Sequence, residues 1–315
     1  MTLSELRRMA TPLLEQHLLA PDAIEDLEAR SRRRRRRHVA SAAGGGLLAV
    51  VLAVVLLATT LTTAPTTRSP GTARLASYIE TGVSVPDSVL EQVGLPPGVT
   101  PPTSLQGQPP LTDGGLPAVV YVGAEFCPYC AIQRWALVVA LSRFGSFSSL
   151  GQIIGSSSSD IYPNLQSWSF HGSSYTSSYI TFLPAEVETS TPVSATGNSY
   201  GYTPLDKLSP LQKLAFDTYA APPYSFVNDG IPFVDVGNSF LMNGALASPA
   251  VLENLSLDQI ASDLGDPSNP VAQVVDGSAN YIIASLCSIA GSPDVPICSA
   301  SFVTQAQTSM TKTTN

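Results

Sequence analysis

A short apolar run followed by two closely spaced cysteines is the feature that most restricts how this chain can fold. Residues 118–122 are all apolar or aromatic, and after four further residues comes Cys127-Pro128-Tyr129-Cys130. A run without polar alternation is typical of a strand buried on both faces of a sheet. Residues 130–144 then carry apolar side chains at helical spacing, and Gly145 is placed to end that helix. The sequence therefore predicts a central strand, a dicysteine turn and a helix in succession.

A turn from strand to helix suits thiol chemistry. The helix N-terminus offers unpaired N–H groups and the positive end of the helix dipole, and both stabilise a thiolate. Pro128 fits the first helical turn because its missing N–H would have no partner there. Cys130 lies three residues after Cys127 on the same helical face, so it can close a disulfide or resolve a mixed one. We predict that Cys127 attacks and Cys130 resolves, with Glu125 as a candidate proton relay.

Two other interpretations of the dicysteine motif stay open. The motif could be half of a zinc site completed by Cys287 and Cys298, although that second pair has ten residues between its cysteines and zinc pairs usually have about two to four. A purely structural disulfide between Cys127 and Cys130 is the other alternative. We expect neither a metal nor another cofactor at this site.

The N-terminal part of the chain predicts a membrane anchor. Residues 39–62 carry no charge, and a helix of that length can cross a hydrocarbon layer of about 30 Å. Six consecutive arginines, residues 32–37, precede this segment and indicate a cytoplasmic N-terminus. The predicted order is a basic cytosolic tail (1–38), a transmembrane helix (39–62), a linker (63–77) and an exported domain (78–315). The protein is thus expected in the cell membrane as a single-pass protein with an extracytoplasmic C-terminal domain.

The distribution of charge agrees with two different environments. Residues 1–38 hold nine basic and six acidic residues, whereas the remainder holds 7 basic and 18 acidic residues. A cleaved signal peptide is the alternative to an anchor, but 38 residues precede the apolar segment and a whole signal peptide usually has about 15 to 30. Nucleic acid is not expected as a partner, because arginines beside a membrane span more often hold topology and anionic lipid.

The motif also carries a family resemblance. Residues 124–130 resemble the active-site turn of the thioredoxin superfamily. The longer stretch 121–145, together with residues 160–164 and 175–182, is similar to a thioredoxin-like family catalogued as domain of unknown function 929. The resemblance covers most of the predicted exported domain. It implies an α/β, thioredoxin-like fold with a redox-active dicysteine motif.

A fold of this kind implies a cis-proline loop that faces the cysteines and pairs with substrate peptide. Pro232 is the candidate, because it opens the short apolar strand 233–236, and Ile231 would line the substrate groove. This strand would lie beside residues 121–122. The alternative is an ordinary trans proline at a turn or sheet edge.

The spacing of these motifs predicts an insertion. Pro232 lies 102 residues after Cys130, more than a minimal thioredoxin-like fold requires. We therefore expect an inserted subdomain at about residues 146–225 between the dicysteine helix and the cis-proline strand. Its composition, rich in Ser, Thr, Tyr and Gly, favours strands and loops, with helical spacing only over residues 205–219.

The C-terminal region predicts a helix and a second cysteine pair. Asn269-Pro270 opens a helix with one apolar face, and Gly291 ends it. Cys287 and Cys298 resemble the C-terminal cysteine pair of some exported thioredoxin-like domains, which implies a structural disulfide in an oxidising compartment. A second redox pair that relays electrons to Cys127 and Cys130 is the alternative.

These observations predict a membrane-anchored, extracytoplasmic thiol–disulfide oxidoreductase. Its substrates would be protein thiols or disulfides, and the sequence does not identify its redox partner. The direction of electron flow depends on the reduction potential relative to that of the compartment rather than on the motif. The alternative is a non-catalytic thioredoxin-like binding module for an envelope protein partner.

Overall fold

A computed structural model of the chain describes residues 85–193, 201–225, 227–291 and 295–312. These residues belong to the second of two units, Ala64–Asn315, into which the chain divides. They form a mixed α/β structure. Its helices are α1 (Asp87–Val93), α2 (Pro128–Leu141), α3 (Pro210–Tyr219), α4 (Leu257–Asp263), α5 (Pro270–Ala290) and α6 (Ser301–Lys312). Its strands are β1 (Thr103–Ser104), β2 (Thr112–Asp113), β3 (Leu116–Gly123), β4 (Gly145–Leu150), β5 (Ile153–Gly155), β6 (Gln166–Trp168), β7 (Ser173–Ser177), β8 (Thr181–Glu186), β9 (Glu188–Pro192), β10 (Tyr202–Pro204), β11 (Phe233–Val236) and β12 (Phe240–Asn243).

The predicted transmembrane helix, residues 39–62, lies outside the described residues, as do the tail 1–38 and the linker 63–77. Within the ranges that the structure describes, no helix combines the length and apolar character needed to span a membrane.

Strand β3 lies at the centre of the main sheet. It pairs in parallel with β8 and antiparallel with β11, where Val122 is opposite Phe233 and Tyr121 opposite Val234. Strand β12 continues the sheet beyond β11, β1 pairs with β12, and β2 pairs with the start of β3. Both the predicted central strand and its predicted neighbour are confirmed.

Apolar side chains cover both faces of this sheet. Val119 and Tyr121 of β3 belong to a large core with helices α1, α2, α5 and α6. Val120 and Val122 point to the opposite face, where they form a smaller core with Ala215 of α3 and its neighbours. Burying one such side chain stabilises the fold by about 1.5–3 kcal/mol. The absence of alternation in residues 118–122 therefore reflects a strand that has helices on both sides.

Helix α5 has the ends that the sequence predicts. Asn269 caps its N-terminus by accepting a hydrogen bond from the Val271 N–H at 2.8 Å, and Pro270 takes the first helical position. Gly291 follows the helix with φ 61°, a left-handed conformation that glycine adopts at little cost. The helix packs against the sheet and α2, as expected from its apolar face.

Helix α2 ends earlier than the sequence predicts. Its last residue is Leu141, and Gly145 begins β4 rather than ending the helix. In the β4–β7 pair a Cβ on residue 145 would collide with the carbonyl oxygen of Thr176, so glycine is needed there for close approach of two strands. This requirement comes from Thr176, 31 residues away in the sequence, and local periodicity carries no sign of it.

Residues 146–225, predicted as one insertion, include a strand of the main sheet. Strand β8 pairs with β3 over six residues, so the added segments lie on either side of it. The pairs β4–β7 and β5–β6 precede β8, and the pair β9–β10 follows it. The predominance of strands and loops is confirmed. The helical spacing over residues 205–219 becomes a helix only from Pro210, because Ser209 and Gln212 form a capping box there.

Cys287 and Cys298 form a disulfide, which confirms the predicted pairing. It links α5 to the 3₁₀ turn Pro296–Ser299 that leads into α6. The cysteines are 11 positions apart in the sequence. Closing a loop of this length stabilises a fold by about 3 kcal/mol or slightly less in the chain-entropy model.

Replacing both Cys287 and Cys298 with serine is therefore expected to lower the free energy of unfolding by about 2–3 kcal/mol. Urea unfolding of the full chain followed by circular dichroism measures this change. Cys127→Ser is a suitable control, since Cys127 is a free thiol and closes no loop. A loss below about 1 kcal/mol in the double variant would contradict a structural role for the bond.

Two buried carboxyl groups make the stability of this fold depend on pH. Burial raises the pKa of Asp235 in β11 to about 7, although the Asn238 N–H opposes the shift. Burial likewise raises the pKa of Asp276 in α5 to about 8, with Arg143 opposing it. Neither Asp276 oxygen has a hydrogen-bond partner among the described residues. Both groups therefore remain protonated in the folded chain at pH values at which an ordinary aspartate is ionised.

Because these folded-state pKa values exceed the ordinary value of 3.8, the folded chain binds more protons than the unfolded chain between about pH 4 and pH 8. We expect the free energy of unfolding to fall as pH rises through this window. Asp276→Asn should flatten the fall and stabilise the chain by about 2 kcal/mol or more at pH 8. Urea unfolding at pH 5 and pH 8 measures both effects. An Asp276→Asn variant that keeps the wild-type slope would contradict this assignment.

Candidate functional site

The dicysteine turn caps the N-terminus of α2. Cys127 has extended backbone angles (φ −78°, ψ 121°) and is the N-cap residue, and Pro128 is the first helical residue. The Cys127 sulfur accepts a hydrogen bond from the Cys130 N–H at 3.2 Å. The helix start thus provides a donor to this sulfur, as the position of the motif predicts.

The two cysteines are free thiols with different environments. Cys127 is 5% exposed and Cys130 is completely buried. Burial raises the pKa of the Cys130 thiol well above its usual value, and the Cys127 sulfur adds to the shift while Arg134 opposes it. Cys130 is therefore held in the protonated form while its partner carries the more accessible sulfur.

The loop before β11 lies against these cysteines. The Ile231–Pro232 peptide bond is cis, as predicted. The Ile231 side chain packs on a small cluster formed by Ala124, Phe126, Cys127 and Cys130. Residues that are about a hundred positions apart in the sequence are thus brought together beyond the C-terminal end of β3.

Glu125, the candidate proton relay, is 3% exposed. Its backbone N–H donates to the Glu188 carbonyl oxygen at 2.8 Å, which continues the pairing of the chain beyond β3. One carboxylate oxygen, Oε1, is buried without a hydrogen-bond partner among the described residues. A carboxylate oxygen in this state can still accept a hydrogen bond.

A buried ion pair beneath the turn was not predicted from the sequence. Arg134 Nε lies 2.8 Å from Glu186 Oε1 and both side chains are completely buried. The guanidinium also donates to the Ala124 carbonyl oxygen at 2.6 Å and to Ser167 Oγ at 2.9 Å. Arg134 thereby fixes the backbone just before the dicysteine turn. The available sequence signal was an arginine in a mainly apolar stretch of helix, one turn after Cys130. Arginine is almost never buried unless it is paired, so a partner was to be expected.

Two other features bear on the alternatives from the sequence. The sulfurs of Cys287 and Cys298 are bonded to each other, so they are not ligands of a four-cysteine zinc site in this structure. The part of the chain described here contains no group of three or more His, Cys, Asp or Glu side chains arranged to hold a metal ion.

Comparisons with known proteins locate the chain in one family. No curated protein and no solved structure matches it. A family model matches residues 105–288, more than half of the chain. The match includes both cysteines of the turn, the Arg134–Glu186 pair and the cis-proline loop. The chain therefore belongs to the family described as Domain of unknown function (DUF929).

Proposed function

We propose that this protein is a thiol–disulfide oxidoreductase with a thioredoxin-like fold. The observation that carries the proposal is the Cys127 sulfur at the N-cap of α2, with Cys130 one turn away and the cis-proline loop against both. The order of the main sheet supports the fold assignment. A central strand leads into the dicysteine helix, a parallel strand lies on one side, and the antiparallel strand after the cis-proline lies on the other.

The reaction begins with the Cys127 thiolate. It attacks one sulfur of a substrate disulfide, a new bond joins Cys127 to that sulfur, and the other substrate sulfur leaves as a thiolate that takes up a proton. Cys130 then loses its proton and attacks the Cys127 sulfur, which forms the Cys127–Cys130 disulfide and breaks the mixed disulfide; the second substrate sulfur leaves as a thiolate and takes up a proton, so one proton is released and one is consumed. The substrate disulfide is reduced by two electrons and the dithiol is oxidised. Turnover in this direction needs an external thiol that reduces the Cys127–Cys130 disulfide; in the reverse direction a substrate dithiol is oxidised, and an external disulfide must restore the enzyme.

The influence of Cys127 on Cys130 supports this order of events. After burial, the Cys127 sulfur is the next cause that raises the pKa of Cys130, and its charge as a thiolate contributes to that effect. Once Cys127 is part of a mixed disulfide it carries no charge, so this cause disappears at the step in which Cys130 must ionise. Arg134, whose charge favours a Cys130 thiolate, remains in place.

The proposal includes a membrane anchor and an extracytoplasmic location. The uncharged segment 39–62, which follows six consecutive arginines, supports the anchor. The Cys287–Cys298 disulfide supports an oxidising compartment, because such bonds persist mainly outside the cytosol.

Exchange assays of the purified full-length chain test the proposal. Reduction of insulin and recovery of scrambled ribonuclease should both depend on the chain, and the double variant Cys127→Ser/Cys130→Ser should lose the activity. The double variant Cys287→Ser/Cys298→Ser is the control, because a structural second pair leaves exchange intact when the chain is folded. No exchange by the wild-type chain in any redox buffer would contradict the proposal and favour a non-catalytic module that binds an envelope protein.

A further inference from the structure

The backbone just before Cys127 is covered by two segments outside the dicysteine helix and the cis-proline loop. The Phe126 carbonyl oxygen accepts a hydrogen bond from the Ser157 N–H at 2.8 Å. The Tyr202 ring stacks on the Phe126 ring, with centroids 4.1 Å apart and planes at 5°. The Tyr202 hydroxyl donates to Ser157 Oγ at 2.6 Å, which closes a ring of contacts. We call these three residues, Phe126, Ser157 and Tyr202, the aromatic clamp.

Tyr202 and Ser157, the two clamp residues outside the dicysteine turn, lie in segments that are held by their own hydrogen bonds. Tyr202 begins β10 and pairs with Pro192 of β9. The chain after β8 runs beside the turn, since the Val187 N–H donates to the Gly123 carbonyl oxygen at 2.8 Å. On the other side, Ser156 Oγ donates to the Tyr162 carbonyl oxygen at 2.9 Å and fixes the connection that carries Ser157. The clamp is therefore part of the ordered fold.

The clamp lies beside the two cysteines of the turn. Tyr202 packs on the cluster that contains Cys127 and Cys130, together with Ile231. Cys127 is 5% exposed, whereas Tyr129, two residues later in the same turn, is 41% exposed. Tyr129 thus reaches solvent, whereas Phe126, Cys127 and Cys130 are buried. A disulfide exchanges only when its sulfur can reach the attacking thiolate, so access limits the rate.

We propose that Tyr202 is a specificity-determining residue that restricts exchange to thiols and disulfides in slender, extended chain segments. A disulfide on the surface of a folded protein is flanked by other parts of that protein, and these parts would collide with the clamp. A flexible segment of an unfolded polypeptide can enter beside Ile231 with the clamp closed. This inference rests on the proposed function, since it names the substrate class of the same dithiol.

Labelling of Cys127 with two maleimides of different size tests the inference. The full-length chain carries Cys130→Ala, which leaves Cys127 as the only free thiol because Cys287 and Cys298 are bonded. The rate with N-ethylmaleimide is compared with the rate with a maleimide attached to the surface of a folded carrier protein, which has the same reactive group. The ratio of the rate with the bulky reagent to the rate with N-ethylmaleimide reports access to the Cys127 sulfur rather than its intrinsic reactivity.

Tyr202→Ala removes both the stacking and the hydrogen bond, so the ratio should rise by about tenfold or more. Tyr202→Phe keeps the stacking but loses the bond to Ser157, and the ratio should rise by about threefold to fivefold. Ser157→Ala breaks the same bond from its other end and should match Tyr202→Phe. Tyr224→Ala is the control, because Tyr224 is an exposed tyrosine whose ring lies against Tyr219 of α3, and its ratio should stay within about twofold of the parent chain.

An unchanged ratio in a Tyr202→Ala chain that melts at the parent temperature would overturn the inference. If that variant does not fold, the Tyr202→Phe and Ser157→Ala chains test the inference instead. Labelling ratios in both variants that equal the ratio of the parent chain would overturn the inference. Insulin reduction by the wild-type chain separates the two proposals. A shifted ratio without exchange contradicts the proposed function alone, and exchange with an unshifted ratio contradicts the role of Tyr202 alone.

Discussion

A full-length chain carrying Cys130→Ser is expected to accumulate as a mixed disulfide with its substrate. Cys127 can still attack, but no second sulfur lies one helical turn away to release the product. Cys127→Ser should instead trap nothing and lower the exchange rate by at least about a hundredfold, because the thiolate is the attacking species. Non-reducing electrophoresis of cells that express each variant, followed by mass spectrometry of the trapped species, measures both outcomes.

The difference between the two variants is the informative result. Both remove one sulfur from the same turn, and serine is close to cysteine in size, so a general loss of structure would affect them alike. Trapping through Cys127 in one variant and none in the other supports the assigned roles. Equal trapping by the two variants, or trapping only when Cys127 is replaced, would reverse or remove the assignment.

Loss of either partner of the Arg134–Glu186 pair is expected to be the most destabilising of the substitutions considered. Both side chains are completely buried, and removing one leaves an uncompensated buried charge. Arg134→Met or Glu186→Gln should lower the free energy of unfolding by about 3–5 kcal/mol. The double variant should lose clearly less than the sum of the two, since it leaves neither charge behind. Urea unfolding of the full chain measures all three.

An exposed ion pair in the same chain is the matched control. Lys213 Nζ lies 2.8 Å from Asp217 Oδ2, and the two side chains are 65% and 54% exposed. Lys213→Met should change the free energy of unfolding by less than about 1 kcal/mol, because water screens the pair. Additive effects of the Arg134 and Glu186 substitutions, or losses no larger than that of Lys213→Met, would show that the buried pair does not hold the turn.

The parts of the fold that local chemistry specifies were predicted from the sequence. An unbroken apolar run identifies β3 as central, because both of its faces need partners. Asn269, Pro270 and Gly291 mark the ends of α5 through capping rules that involve only neighbouring residues. The cis form of the Ile231–Pro232 bond followed from the family resemblance rather than from the dipeptide, which is trans in most proteins.

The parts that depend on distant contacts were not predicted. Arg134 and Glu186 are 52 residues apart, and no spacing rule links a helix to the end of a later strand. Tyr202 is one of several tyrosines in a polar segment, and only the folded chain brings its ring onto Phe126. The same reason explains Gly145, whose role is set by the opposite strand, and the inclusion of β8 in the main sheet.

The central claim is that Cys127 and Cys130 form a reversible dithiol–disulfide couple. Incubating the full-length chain in buffers with graded ratios of reduced to oxidised glutathione, followed by alkylation and peptide mass spectrometry, tests it most directly. We predict that the Cys127–Cys130 disulfide forms and disappears along the series while Cys287–Cys298 stays bonded in the folded chain. Cysteines 127 and 130 that remain alkylated thiols at every ratio would contradict the account.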